Sequence, residues 1–276
     1  GSKRFPTPLS CAETGGWHSR TLRKTARSRA FRKLTFLCPG QWSMWSMSIT
    51  VRVSNHRTDE RLRMTIVVEA LCTGQPRPFN GAELSAIDKR PAEGPVMIRR
   101  FGLEGDMVAD TRHHGGPDMA VHHYPHDHYS AWAEWLGGHD LLSGPSAFGE
   151  NIEATGLVET DVRIGDRFRL GEALLEVSQP RKPCWKIEHR FGRKGMVAHI
   201  VKTHISGWYY RVIEEGIAQA GDHLTKVDEG KTDWTVARLF AALYDPACKP
   251  APDQLEEICM LEKLSEEVRL SLSRKL

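Results

Sequence analysis

"VRIGDRFRLGEALLEVSQPRKPCWKI", Val162–Ile187, sets two strand patterns around one tight turn and then delivers a cysteine just after two prolines. The Gly-containing turn at Arg169 to Glu172, flanked by apolar and β-branched residues, predicts a β-hairpin. Its second arm, the apolar run Ala173 to Val177, ends in the basic triplet Arg181, Lys182 and Lys186 around Cys184. Those cations favour a thiolate, and Pro180 and Pro183 restrict the backbone that presents it. By its residues alone, Cys184 is a nucleophile, a metal ligand or a small core residue.

Outward from the hairpin the chain stays strand-rich. "TIVVEAL" (Thr65 to Leu71) is β-branched and apolar, "TGQPRPF" after it reads as a turn, and "AELSAID" and "PVMIRRF" read as two short strands. "WYYRVIEEG" and "DHLTKVD" supply two late strands. Many short strands with Gly and Pro turns predict a mainly β, α+β fold with a barrel or sandwich-like body. Two helices interrupt it. "PHDHYSAWAEWLGG" places Pro125 at the first helical position and stops at Gly137-Gly138, and "GMVAHIVKTHISG" is the second. After Gly230 three helix-period segments follow, with Asp233 and Ser265 as expected caps and Pro252 near a helix start. The expected organisation is a basic extension over 1–63, a β body over 64–230 and a three-helix unit over 231–276.

The net charge of +3 conceals a divided chain, because the residues up to Arg63 hold 13 Lys or Arg against 3 acids. This Arg- and Ser-rich leader has three readings: a stretch upstream of a true start at Met64, which ranks first, a targeting or nucleic-acid-binding arm, or an extension packed on the main body. Nucleic acid therefore ranks low among the expected partners. No apolar run approaches the roughly 20 residues that cross a bilayer, so no membrane role is expected and the cytoplasm is the expected location. Six scattered cysteines lack the close pairs of a zinc knuckle or the density of a disulfide scaffold.

"RHHGGPDMAVHHYP" (Arg112 to Pro125) is a second candidate for chemistry. Gly115 and Gly116 let backbone N–H groups approach an anion, with Arg112, His113 and His114 adding charge and donors around it. His122, His123, His126 and His128 suggest zinc, but neighbours on a strand point to opposite faces and the last two diverge on a helix, so no tetrahedral site is offered. "FGENI" sets Glu150 and Asn151 beside a flexible glycine, a set that can hydrogen-bond a polar heterocycle or merely build a turn. "GLEGD" is read the same way, with Asp106 pairing with a nearby base.

Taken in order, "GLEGD", "HHGGPDMAVHHYP", "FGENI", the hairpin with its cysteine, and "GWYYRVIEEG" resemble the MOSC family, the domain named after the carboxyl-terminal part of molybdenum cofactor sulfurases. The resemblance spans Met64 to about Val227, and the three-helix tail matches that of stand-alone bacterial members. It implies a β-barrel body in which Cys184 binds the molybdenum of a pterin cofactor (Mo-molybdopterin) or carries its sulfur. It further implies that Arg181 and the loop from Arg112 to Gly116 hold phosphate and pterin, while Glu150 and Asn151 line the heterocycle. Members of the family reduce N-hydroxylated compounds, hydroxylaminopurine base analogues among them, so the resemblance implies a molybdenum-dependent reductase. Asp118, His122 and His123, close to the glycine loop in sequence, are candidates for the proton donor, with no one of them singled out. No GxGxxG opens a helix after a strand, so electrons are expected from a separate reductase; a homodimer is also implied. The competing reading is a non-catalytic carrier of sulfur or cofactor on the same thiol.

Overall fold

In the computed structural model, which describes residues 64–110 and 115–273, the Gly171 hairpin forms as read. In chain order the strands are β1 (Thr65–Thr73), β2 (Arg77–Asn80), β3 (Glu83–Ser85), β4 (Arg90–Pro91), β5 (Val96–Arg99), β6 (Gly102–Leu103), β7 (Val121–Pro125), β8 (Ile152–Ala154), β9 (Arg167–Leu170), β10 (Ala173–Pro180), β11 (Trp208–Glu214), β12 (Gly216–Ala218) and β13 (His223–Asp228). The helices are α1 (Tyr129–Leu136), α2 (Lys186–Arg190), α3 (Met196–Thr203), α4 (Val236–Tyr244), α5 (Pro252–Cys259) and α6 (Glu266–Ser273).

Seven strands close a barrel in the order β13-β9-β10-β11-β7-β8-β1, with β1 returning to pair with β13. Closure leaves the barrel no open sheet edge. All pairs are antiparallel except β7 with β8, which run parallel. All eight residues of β10 are buried, which accounts for its continuous apolar run. Glu176 is the charged exception on β10, and its carboxylate takes Arg167 at 2.7 Å and Arg211 at 2.8 Å. A buried carboxylate shared by two guanidiniums is a satisfied one.

The main apolar cluster gathers Val68, Val121, Ile152, Phe168, Leu175, Val177 and Trp208 of the barrel strands with Ile98 of β5, and Trp234, Val236, Leu239, Ile258 and Leu272 of the tail join it. Arg211 fastens the tail too, donating to the Lys263 carbonyl at 2.8 Å. A second cluster, under α1 and α3, gathers Tyr124, Trp132, Phe148, Ile187, Met196 and Phe240. Phe148 stacks on Tyr124 with ring centroids 4.1 Å apart, and the Trp132 indole donates to the Tyr124 hydroxyl at 2.6 Å.

Three local expectations change. Pro125 ends β7 instead of opening a helix, and a 3-10 turn over His126–His128 intervenes before α1. Its φ of −62° serves a strand end as readily as a helix start, and its ψ of 126° decides for the strand. Thr235, not Asp233, caps α4 by accepting from the Arg238 N–H at 3.1 Å. The proline-rich segment read as a turn contains β2, a strand of a two-stranded hairpin with β3, where a missing N–H is tolerated. Ser265 does cap α6, accepting from the Val268 N–H at 3.4 Å, and Pro252 opens α5. Among the described residues no helix is long and apolar enough to cross a membrane.

Candidate functional site

The ends of three strands converge beside the cysteine loop. On β11, Trp208 pairs with Pro180 of β10 and with His123 of β7, while Tyr209 pairs with Gln179 and His122. Gly207 lets β11 start this close, since a Cβ there would lie 2.5 Å from the His123 carbonyl oxygen. The Gly207 carbonyl accepts from the Arg181 N–H at 3.0 Å, which fixes the chain as it leaves β10. Two residues past Cys184 the chain turns into α2, with the Ile187 N–H donating to the Cys184 carbonyl at 3.1 Å. Arg190 of α2 then clamps the preceding loop, reaching the Ala147 carbonyl at 2.9 Å and the Ser146 carbonyl at 3.2 Å.

These anchors enclose a cavity of about 360 Å³, in the range of small-molecule sites. Cys184, Arg181, His122, Asn151, Gly115 and Gly116, all sequence candidates, line it. Cys184 is half-buried, and of the described cysteines it is the one in the lining. Cys72 is fully buried, and burial pushes its thiol up to about 12, so it offers no thiolate. Lys186, in the same lining, pairs with Glu83 at 3.0 Å.

Two polar atoms in the lining are buried without a partner, Arg181 Nη1 and His122 Nε2. The rest of the guanidinium meets the Phe148 carbonyl, through Nη2 at a long 3.4 Å, and the Tyr209 hydroxyl. A buried cation with a free N–H is costly unless a ligand answers it. Burial, and then the Arg181 charge, holds the His122 imidazole well below its ordinary range. The neutral ring is therefore a hydrogen-bonding group and not a standing acid at neutral pH. His123 points to the opposite face, as the strand alternation requires, where its ring lies 4.4 Å from Trp208 and its Nδ1 is 3.2 Å from the Tyr210 hydroxyl.

Asn151 lines the cavity, but its amide is committed. Its Oδ1 accepts from the His122 N–H at 3.0 Å, and its Nδ2 donates to the Cys72 carbonyl at 3.0 Å and to Asp106 at 2.8 Å. Asp106 in turn pairs with Lys89, the nearby base its motif called for. The network sets the wall that presents the open groups.

Besides His123, two candidates are placed elsewhere. Glu150 is fully buried behind the wall, accepting from the Tyr129 hydroxyl and from the Phe148 N–H at 3.0 Å, and it is outside the lining. Asp118 binds Arg211 at 2.8 Å and accepts from the Glu266 N–H at 3.3 Å, so it joins the tail to the barrel and supplies no proton to the cavity. Arg112, His113 and His114, like the basic leader, lie outside the described residues. Residues not read as site candidates complete the lining: Lys89 on one wall, Tyr209 with its ring 5.0 Å from His122, and the exposed Phe101 and Met107 at the mouth.

Burial raises the Glu150 carboxyl to about 7. A folded-state value above the unfolded one gives stability that is complete below about pH 4.5 and lost as the pH rises through 7. Glu150→Gln should therefore flatten the fall in melting temperature between pH 5 and 8, a difference on the order of 2 kcal/mol at the upper end. Thermal unfolding across that range checks this; an unchanged slope would place the titration elsewhere.

The fold is a closed barrel whose cysteine loop opens onto a cavity that also holds the buried, unpartnered Arg181 Nη1. The chain belongs to the MOSC family: the MOSC domain model matches residues 110–225. It is YiiM-like. The chain is 41% identical over 211 residues to an uncharacterized protein YflK of Bacillus subtilis, spanning 75% of this chain and 93% of that one. It is 42% identical over 172 residues to Protein YiiM of Escherichia coli, spanning 62% of this chain and 76% of that one. The crystal structure of YiiM from Geobacillus stearothermophilus superposes with a TM-score of 0.65 at 28% identity, over 76% of this chain and 99% of that one. A Gibberella moniliformis protein named "Reductase" is 37% identical over 162 residues, which is 58% of this chain and 29% of its own length.

Proposed function

We propose that the cavity binds the molybdenum cofactor through Cys184 and that the protein reduces N-hydroxylated compounds. The observation that carries this is the Cys184 thiol sharing one cavity with the buried, unpartnered Arg181 Nη1. The MOSC family's association with this cofactor and the fungal relative's name support the reading.

The residues present fit the group. Cys184 offers the soft sulfur a molybdenum centre favours, Arg181 offers a free N–H to its phosphate, and His122 Nε2 offers a hydrogen-bonding position on its heterocycle. Bound there, the cofactor would supply the two-electron redox chemistry. The chain holds and orients it: Asn151 braces β7 behind His122, and Arg190 keeps α2 and the cysteine loop in place. Phe101 and Met107 at the mouth give a planar substrate apolar surface to lie on.

The reaction is R–NHOH plus two electrons and two protons giving R–NH2 and water, with the N–O bond broken. The electrons come from a separate reductase. Purified, cofactor-loaded protein given an artificial electron donor should convert 6-N-hydroxylaminopurine to adenine, followed by chromatography of the base. Transfer of sulfur from the protein with no base reduced would instead make it a carrier.

A further inference from the structure

Behind the cavity wall lies a second cluster, unrelated to the cysteine. Three neighbouring elements of the barrel each contribute one residue: Glu69 from β1, Glu153 from β8, and His126 just past β7. β8 lies between the other two strands, pairing with β1 on one side and β7 on the other. The register of β1 against β8 shifts between Val68 and Ala70, so Glu69 sits at an irregularity of the kind that re-aims a side chain. The donor atoms of Glu69, His126 and Glu153 all lie within 4.8 Å of one another.

The second observation is the state of Glu153. Only 4% of the residue is exposed, and its Oε2 is buried with no partner. Its Oε1 lies 2.5 Å from His126 Nδ1. Among the described residues neither Glu153 nor Glu69 is paired with a lysine or arginine, so two carboxylates face one imidazole with no fixed cation to balance them. Neighbouring groups hold the donors in place. The Thr155 hydroxyl donates to Glu69 Oε1 at 2.7 Å, and the His126 ring stacks on Tyr129 with centroids 4.3 Å apart. Such supporting contacts are what orient metal ligands.

We propose that Glu69, His126 and Glu153 form a site for a first-row divalent cation such as zinc. An imidazole nitrogen among the donors selects against magnesium and calcium, which take oxygen ligands. An ion about 2.0–2.2 Å from each donor holds neighbouring donors roughly 3–3.5 Å apart, so small side-chain rotations from the present cluster seat it. The ion replaces the proton shared by His126 and Glu153 and answers the free Oε2. It ties β1, β8 and the connection from β7 to α1 into one clip, two residues along β8 from the Asn151 that braces the cavity. The role is structural, so binding raises the melting temperature in proportion to the logarithm of the ion concentration.

The test is calorimetric titration of the full chain, stripped with a chelator, with zinc chloride, alongside its melting temperature. Wild-type protein should bind one zinc ion at this site and melt higher in its presence. Glu69→Gln, an exposed change that leaves the core intact, and His126→Ala should each weaken that binding about 10-fold or more and abolish the melting shift. Cys184→Ala should leave both unchanged. Equal zinc affinity in wild type, Glu69→Gln and His126→Ala, loss of binding in Cys184→Ala, or no binding by wild type would each overturn the site.

Discussion

Cys184→Ala should leave a folded protein with no retained molybdenum and with hydroxylamine reduction down by about 100-fold or more, at least ~2.7 kcal/mol of transition-state stabilisation. The asymmetry follows from where the residue sits. Cys184 is half-buried at the cavity and outside both apolar clusters, so removing its sulfur opens no core void and should cost within about 1 kcal/mol of stability. Cys184→Ser should fail in the same way, because a neutral, hard hydroxyl does not replace a soft thiolate. Melting temperature, elemental analysis and a turnover assay on one preparation separate the two effects. A variant that unfolds would show instead that the cysteine is a packing residue.

Arg181→Met should have opposite effects on stability and on binding. The guanidinium is buried with Nη1 unanswered, and it meets only the Phe148 carbonyl at a long 3.4 Å and the Tyr209 hydroxyl, with no carboxylate beside it among the described ion pairs, so in the ligand-free protein it is an under-compensated charge. An apolar side chain of similar reach removes that cost, and the ligand-free variant should melt as high as wild type or higher. A gain of about 1 kcal/mol is worth roughly 2–4 °C in a domain of this size. Cofactor retention should fall at least about 10-fold, because a charge-assisted bond to phosphate is lost. Equal retention would remove the phosphate role, whereas a large drop in the melting temperature would make Arg181 a structural ion.

Much of the barrel is visible in the chain because its strands obey local rules. The Gly171 turn, the buried run of β10 and the β-branched β1 each declare themselves within ten residues, as do the capped helices of the tail. What no local pattern shows is closure: β1 meets β13 and β7 meets β8 across long separations. Pro125 misled because one φ value suits two elements. At the site, Cys184 and Arg181 stand out by charge next to sulfur, and His122 by its nearness in sequence to the glycine loop. Glu150 and Asp118 could not be told from site residues by type, since what removes them is burial against Tyr129 and pairing with an arginine 93 residues away. Lys89 and Tyr209 carried no sign of a site role, Tyr209 being read only as part of a late strand, and the cavity gathers them through the fold.

The central claim is that Cys184 is a ligand, and the molybdenum-to-protein ratio tests it most directly. The measurement is elemental analysis of wild type and Cys184→Ala, both purified folded from a host that makes the pterin cofactor. About one molybdenum per wild-type chain and none in the variant is the predicted result. Equal molybdenum in the two, or none in wild type, would contradict it.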